Sequence, residues 1–535
     1  MTAAGAAPRV LVAEPLSQTG LAVLATAGLA ADVRTDLSRE ALVAAIGDYD
    51  ALVVRSATKV DRELLTAGKK LRVVGRAGVG LDNVDVKAAT ERGILVVNAP
   101  SGNVVSAAEH AVALLLALLH RIPEAQVSLK SGEWKRTKFV GTELQGKTVG
   151  LVGVGQVGSR VATRLKPFGV KLLAYDPYVT PERAEELGVT PVTLEALLAE
   201  ADVVSLHTSV TPETTGLLNE ARLGLMKAGA FLVNCARGAL VDEAALVKAL
   251  DAGKLAGAAL DVFSVEPPKD FTLMKHPKIV CTPHLGASTV EAQDRVAVET
   301  VEMLAEALKG SPFVAAVNLP FPPGGDPHSA LPWMRLAETT GRFLGHAAGA
   351  PPTSIAVTLA GVPEAVRKAC AVAAVKGVLA PSHGDDVNLV NAPTLARMSG
   401  VSVTDLVRED AGGYASLIRV SIATAGGERS AAGTLFDDRH GRIVEFDGLP
   451  IEFTPEGTLL VITNRDVPGV VGRIGTFLGE KGINIVDLDL ARGRAGRAAA
   501  VVRIDRPDGG PVEAGLAQGV AALSGIESAR LVTLP

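Results

Sequence analysis

Aromatic side chains are scarce in this sequence: Phe, Trp and Tyr together make 3% of 535 residues. Cores must therefore be built from Ala, Val and Leu, and extensive base-stacking surfaces are not expected. Cysteine is almost absent. Cys235, Cys281 and Cys370 are odd in number, widely spaced and without a metal-ligand pattern. They predict no disulfide framework and no metal site, and they point to a reducing cytoplasm. No block of Lys and Arg occurs and the net charge is −5, which argues against nucleic acid or an acidic membrane as partner. The N-terminal MTAAGAAPRVLVAE lacks a basic segment followed by a long apolar run, so no signal peptide is read. The longest apolar stretch, AVALLLALL at 111–119, is too short to span a bilayer and predicts a buried helix.

What is present is ordinary globular composition, 48% hydrophobic and 21% charged. A chain of 535 residues exceeds what one core holds, so about three or four domains are expected. RVLVAEP (9–15), ALVVRS (51–56), LRVVGRAG (71–78) and ILVVNAP (94–100) read as strands, with GLAVLATAG (20–28) as a helix. Strands alternating with helices predict a parallel sheet. SGNVVSAAEHAVALLLALLHRIP (101–123) reads as one long helix ended by Pro123, a spacer into a second series. That series begins at KTVGLVGVG (147–155) and continues through KLLAYD, DVVSLHT, FLVNCA, AGAALDV and KIVCTPH. A helix over 287–309 follows, then a Pro- and Gly-rich linker at 316–327. Residues 328–452 are a less legible α/β stretch, with helices near 333–348 and 363–375 and strands at 414–424 and 442–448. The last eighty or so residues read as βαββαβ, a ferredoxin-like unit.

Gly153, Gly155 and Gly158 fit G-x-G-x-x-G between a strand and a helix. Such a turn brings pyrophosphate against the positive end of the helix. LLAYD ends the next strand with Asp176, an acid placed to accept from a ribose 2′-OH and to repel a 2′-phosphate, favouring NAD over NADP. Asp176 has an alternative reading as a cap in YDPYVTPE. Three groups stand at later strand ends: Arg237 in NCARGALVDE, Glu266 in VFSVEPP and His284 in CTPHLGAST. A cation can grip a carboxylate, imidazole exchanges protons near neutrality, and a carboxylate beside it raises its pKa and orients the ring. Spacing alone leaves each open to a structural role, as a surface arginine, a turn acid and a satisfied histidine.

VGLVGVGQVG, NCARGALVDE, LDVFSVEPP and PHLGAST, in this order, resemble the D-isomer-specific 2-hydroxyacid dehydrogenase family over roughly residues 8–317. VGRAGVGLDNVD and GEWKRTKFVGTELQGKTVG resemble its D-3-phosphoglycerate dehydrogenases of the longest type in particular. The resemblance implies catalysis by Arg237, Glu266 and His284, with Gln156 and Val157 along the cofactor phosphates and Asp176 on the ribose. It implies that Thr208, Cys235, Ala236, Asp261, Gly286 and Ala287 line the nicotinamide side. Val79 replaces a Thr found in some members. Arg55, Ser56, Asn103 and Arg136 become candidates for the substrate's carboxylate and phosphate. NRDVPGVVGRIGTFLGEKGINI (464–485) resembles ACT modules, which bind amino acids at paired interfaces. By that resemblance Asn464, Asp466 and Asn484 would hold serine; the alternative is a helix-capping Asp466 in a module that only dimerises.

The implied fold class is α/β: two doubly wound parallel-sheet domains, one of them Rossmann, an α/β intervening domain and an ACT domain. The implied bounds are 1–98 for the substrate domain, completed by 287–317, then 99–286, 318–452 and 456–535. Arg439 and Arg442 are possible contributors to a second anion site, or a solvated basic edge. The expected activity is NAD-dependent oxidation of D-3-phosphoglycerate to 3-phosphohydroxypyruvate, the first step towards serine, in a cytoplasmic, serine-inhibited homo-oligomer, by family habit a tetramer. The rival readings are another D-2-hydroxyacid dehydrogenase, acting on glycerate or 2-hydroxyglutarate, and an NAD-sensing binding protein on the same fold.

Overall fold

The computed structural model describes residues 7–312, 314–322, 327–437, 439–493, 496–513 and 515–535. Parts of the stretches read for a leader and a linker, at 1–6 and 323–326, lie outside them. The architecture is α/β, with four sheets in sequence along the chain.

The first sheet is parallel. Its strands run in the order Ala30–Val33, Arg9–Val12, Ala51–Val54, Val73–Arg76, Leu95–Asn98. Ala30–Val33, absent from the sequence reading, is a mostly exposed edge strand whose apolar side chains are too few to signal it. Helix Val290–Leu308, nearly two hundred residues later, returns to this sheet: Val301 and Leu304 pack with Val10, Val12 and Val53. Asn318 fastens the return, accepting from Val96 N at 2.9 Å and donating to the Ile94 carbonyl at 2.8 Å.

The second sheet has seven parallel strands, in the order Ile279–Cys281, Leu255–Leu260, Ala230–Asn234, Val203–Leu206, Thr148–Val152, Lys171–Tyr175, Thr190–Pro191. Against it lies helix Val104–Leu119, whose Ala108, Ala111, Leu115 and Leu119 share a core with Val149, Leu151 and Val233. The apolar run at 111–119 is thus a core face, and no single helix among the described residues is long and apolar enough to cross a membrane. Pro123 does not end this helix. The chain turns by 62° at Arg121, which adopts φ 55°, and Pro123 enters the first turn of a second helix, Ile122–Lys130. A proline there lacks only an N–H that would have no partner anyway.

A six-stranded sheet follows, antiparallel apart from the edge pair Ser402–Arg408 and Pro352–Ala360. It is covered by helices Pro327–Ala348 and Glu364–His383. The second helix runs eight residues beyond the predicted 375, because Pro381 sits near its C-terminal end without stopping it. Strands Pro352–Ala360, Ser402–Arg408, Gly427–Phe436 and Leu449–Phe453 were not legible in sequence. The last sheet orders Asn484–Arg492, Arg497–Asp505, Gly457–Arg465 and Ile526–Leu534, all antiparallel, in βαββαβ succession. It shares one hydrophobic core with the six-stranded sheet: Leu459, Val501 and Leu534 belong to the same cluster as Phe343 and Phe446.

Candidate active site

Strand Thr148–Val152 runs into the glycine turn, and Gly153 adopts φ 92°. A side chain at Gly158 would put its Cβ 2.1 Å from the Gly153 carbonyl oxygen, so this helix approaches the turn only without one. Helix Gln156–Leu165 begins at Gly155 with no side-chain cap, leaving its first N–H groups open for an anion. Asp176 Oδ2 accepts from Val154 N at 2.9 Å and Oδ1 from Tyr178 N at 2.9 Å. Thr180, not Asp176, caps the next helix, Pro181–Leu187. An open helix N-terminus, a cradle that a Cβ would fill and an acid tied to the turn fit a dinucleotide. Beneath the turn, His207 is held by Ser205 at 2.9 Å, and burial drives its pKa down to about 4, so it stays neutral. Burial, helped by the charge of Asp261, pushes the Cys235 thiol up, which leaves it unreactive as a thiolate.

Between the first two sheets lies a cleft of about 990 Å³. Arg237, Glu266 and His284 all line it, although they come from three separate strand ends. Asn234, 1% exposed, builds the arginine's turn: its Nδ2 donates to the Arg237 carbonyl at 2.9 Å and its Oδ1 accepts from Ala236 N at 3.1 Å. The Arg237 Nε lies 3.3 Å from Asp82 across the cleft. Gly80 makes that path possible, since a Cβ there would meet the guanidinium at 2.3 Å.

Glu266 accepts from Phe263 N through Oε1 at 2.8 Å, and its Oε2 lies 2.5 Å from His284 Nδ1. That bond fixes the proton on Nδ1 and leaves Nε2 without a partner among the described residues, a lone pair facing the cleft. The hydrogen bond to Glu266 raises the imidazole above its ordinary pKa, against a smaller opposing effect of burial. Burial pushes the Glu266 carboxyl up, but the bonds from His284 and Phe263 N together with the charges of His284 and Arg237 outweigh it and hold it ionised.

Arg55, Ser56 and Asn103 also line the cleft. Glu14 shapes the loop carrying the first two, accepting from the backbone N–H of Arg55, Ala57 and Thr58. Arg76 was missed in the sequence. Its Nε is buried with no partner among the described residues, and burial, then the like charge of Arg237, lowers its pKa. A cation so placed calls for an anionic ligand. The only sequence signal was its position at a strand end. Arg136 is not brought to the cleft within one chain. Its segment docks at the far end of helix Val104–Leu119, where Thr142 N donates to Leu119 O, about 24 Å along the helix from Asn103.

In the last sheet, Asn464 has Oδ1 buried without a partner among the described residues, and Asp466 lies 3.4 Å from Arg492. Asn484 does not join them. It pairs with Asp505 whereas Asn464 pairs with Ala498, seven residues away along the shared strand. Arg439 and Arg442 line a second cavity of about 760 Å³ together with Arg335 and Glu456.

Residues 112–286 match the model of the D-isomer specific 2-hydroxyacid dehydrogenase NAD binding domain. Residues 330–447 match the D-3-phosphoglycerate dehydrogenase intervening domain, and 458–518 the ACT domain. A D-3-phosphoglycerate dehydrogenase of Synechocystis is 40% identical over 98% of this chain and 95% of that protein. One of Archaeoglobus fulgidus is 43% identical over 90% of this chain and 92% of that protein. Among solved structures, the TT0316 protein of Thermus thermophilus is 40% identical with a TM-score of 0.53, covering 56% of this chain and 97% of that one. A D-lactate dehydrogenase of Escherichia coli is 31% identical with a TM-score of 0.52, over 56% of this chain and 97% of that one. The D-lactate dehydrogenase of Aquifex aeolicus, complexed with NAD and lactic acid, is 30% identical with a TM-score of 0.50, over 56% and 96%.

Proposed function

The chain belongs to the D-isomer specific 2-hydroxyacid dehydrogenase family, among its D-3-phosphoglycerate dehydrogenases, and from that membership we propose that it oxidises D-3-phosphoglycerate to 3-phosphohydroxypyruvate, the first step towards serine. The observation that carries this reading is the His284–Glu266 pair, 2.5 Å apart, opening on a cleft that also holds Arg55, Arg76 and Arg237. Arg237 grips the substrate carboxylate and polarises the 2-oxygen. His284 Nε2 takes the hydroxyl proton, and ionised Glu266 stabilises the imidazolium that forms. NAD, when bound, supplies the two-electron acceptor. The open N–H groups at Gln156 and Val157 hold its phosphates, Asp176 its ribose, and Thr208, Cys235, Ala236, Gly286 and Ala287 border the nicotinamide side. Asp261 Oδ2 takes only Gly286 N among the described residues, leaving acceptor capacity on that side. Arg55 and Arg76, with Ser56 and Asn103, meet the phosphate.

Residues 1–98 with 287–317 act as the substrate domain and 99–286 as the NAD domain, so the cleft between them closes on the substrate. Residues 318–452 and 456–535 form the intervening and ACT domains. Serine is the proposed inhibitor. Asn464 and Asp466 stand too far from Asn484 along the sheet for one amino acid to touch both in a single chain, so two ACT modules together complete each site. Exposed apolar side chains Val127, Leu129 and Trp134 support an oligomer, read as a tetramer. Three unpaired cysteines support a cytoplasmic setting.

The test is NADH formation from D-3-phosphoglycerate and NAD with the product drained, beside glycerate and 2-hydroxyglutarate. Turnover with D-3-phosphoglycerate, lost in Arg55→Ala, is expected. Preference for an unphosphorylated acid would replace the substrate, and no turnover with any of them would leave an NAD-binding protein.

A further inference from the structure

His284 sits at φ 56°, a left-handed backbone that a residue with a Cβ adopts at a cost of about 1–2 kcal/mol. Asp261 holds it there. Its carbonyl accepts from His284 N at 2.8 Å, its Oδ1 from Leu285 N at 2.7 Å and its Oδ2 from Gly286 N at 2.8 Å. Three successive backbone N–H groups of the proton-accepting turn are thus bound by one residue that is 1% exposed.

The crossover helix Val104–Leu119 fastens this arrangement at two points. His110 Nε2 lies 3.1 Å from Asp261 Oδ1 and 2.9 Å from Thr282 Oγ1, while Thr282 gives its single hydroxyl proton to Asp261 at 2.6 Å. His110 must therefore carry its proton on Nε2 and donate it into the pair. Ser106, four residues earlier on the same face, donates to the Gly286 carbonyl at 2.7 Å.

We propose that His110 and Ser106 are positioning residues that lock the Asp261 carboxylate and the Gly286 carbonyl onto the crossover helix, and so keep the His284 imidazole seated on Glu266. This rests on His284 being the proton acceptor. The helix leaves the substrate-domain sheet at Asn103 and packs on the NAD-domain sheet, so the part of the chain that joins the two domains also clamps the reacting group. The charged groups facing His284 are Glu266, Asp261 and Arg237; His110 reaches it only through Asp261.

Two variants of the full-length protein test the clamp. His110→Leu keeps bulk and removes the donor. Expected is a fall in kcat of about 10–100-fold, the size of effect a displacement near 1 Å produces. KM for NAD, whose nicotinamide side borders Gly286 and Asp261, should rise by less than kcat falls. Because Glu266 holds the imidazole pKa up, loosening the turn should move the acidic limb of the kcat/KM profile down, towards the free imidazole value of about 6.5. His110→Gln restores an N–H donor and should recover most of the rate and of the pH profile. If His110→Leu melts early, Ser106→Ala is read in its place, with a smaller loss and a pH shift of the same sign. Wild-type kcat and pH profile in a folded His110→Leu, or no recovery in His110→Gln, overturns the proposal. His284→Asn is assayed beside them: if it keeps turnover the proton-acceptor reading fails, and if it is dead while His110→Leu is normal only the clamp fails.

Discussion

The chemistry at the residue scale depends on which nitrogen of His284 is free. Glu266 binds Nδ1, so in the proposed reaction Nε2 is the base, and the same bond raises the imidazole pKa. A base works in its neutral form, and activity in the oxidative direction should rise with pH through that raised pKa. Glu266→Gln removes the charge and keeps the shape. The acidic limb of the kcat/KM profile should then move to lower pH, and kcat should fall by about 10²–10⁴-fold, the range attached to a positioned acid–base group. A limb that stays in place would show that another group sets it. Asn234 and Glu14 teach a related point: each spends its side chain on backbone N–H or carbonyl groups of the loop that presents an arginine. Neither announces itself in sequence, where a polar residue at a strand end has many uses.

Among the elements, the glycine turn and the crossover helix shape the proposed cofactor site. Gly158→Ala would drive a Cβ to 2.1 Å from the Gly153 carbonyl oxygen. Rigid backbone on both sides leaves no easy relief, so the turn must open. NAD affinity should drop at least tenfold, measured by titration calorimetry, while the C-terminal sheets keep their stability. Unchanged affinity would mean that the helix shifts bodily. The helix at 101–123 shows where pattern reading stops. The apolar spacing was clear, but the break at Arg121 depends on one left-handed residue, and Pro123 could end one helix or open another. Strands of the six-stranded sheet were missed for a different reason: Ser402–Arg408 is exposed along its whole length and carries no alternation of buried and exposed side chains.

On the scale of the whole molecule, the last two sheets behave as one body, because their apolar faces form a single core around Phe343. Phe343 is fully buried, with ring centroids 5.3 Å from Phe446 and 5.2 Å from Phe453. Phe343→Ala should cost about 3–5 kcal/mol and lower the denaturant midpoint of both sheets together; two separated transitions would contradict a shared core. This body also touches the turn that leads into strand Leu95–Asn98 of the first sheet, where Asn388 donates to the Gly93 carbonyl at 2.8 Å. On the proposed reading, serine binding is a property of the assembly. Asn464→Ala and Asn484→Ala homo-oligomers should each fail to bind serine, whereas a mixture of the two variants should recover sites built from the intact halves. Recovery of none would place the ligand within one chain.

Sequence by itself determined most of the strand order along the chain in the first two sheets, the βαββαβ order of the last, the glycine turn with its acid, and the family resemblance from which the Arg237, Glu266 and His284 trio is inferred. These are local: strand periodicity, turn chemistry and long contiguous motifs are written along the chain. Tertiary structure decided which distant groups meet. It brought Arg76 into the cleft, left Arg136 at the far end of the crossover helix, separated Asn484 from Asn464, and set His110 and Ser106 against the His284 turn. Those outcomes depend on where a helix or strand comes to rest after the chain has folded back from another domain, and no spacing in sequence carries that distance.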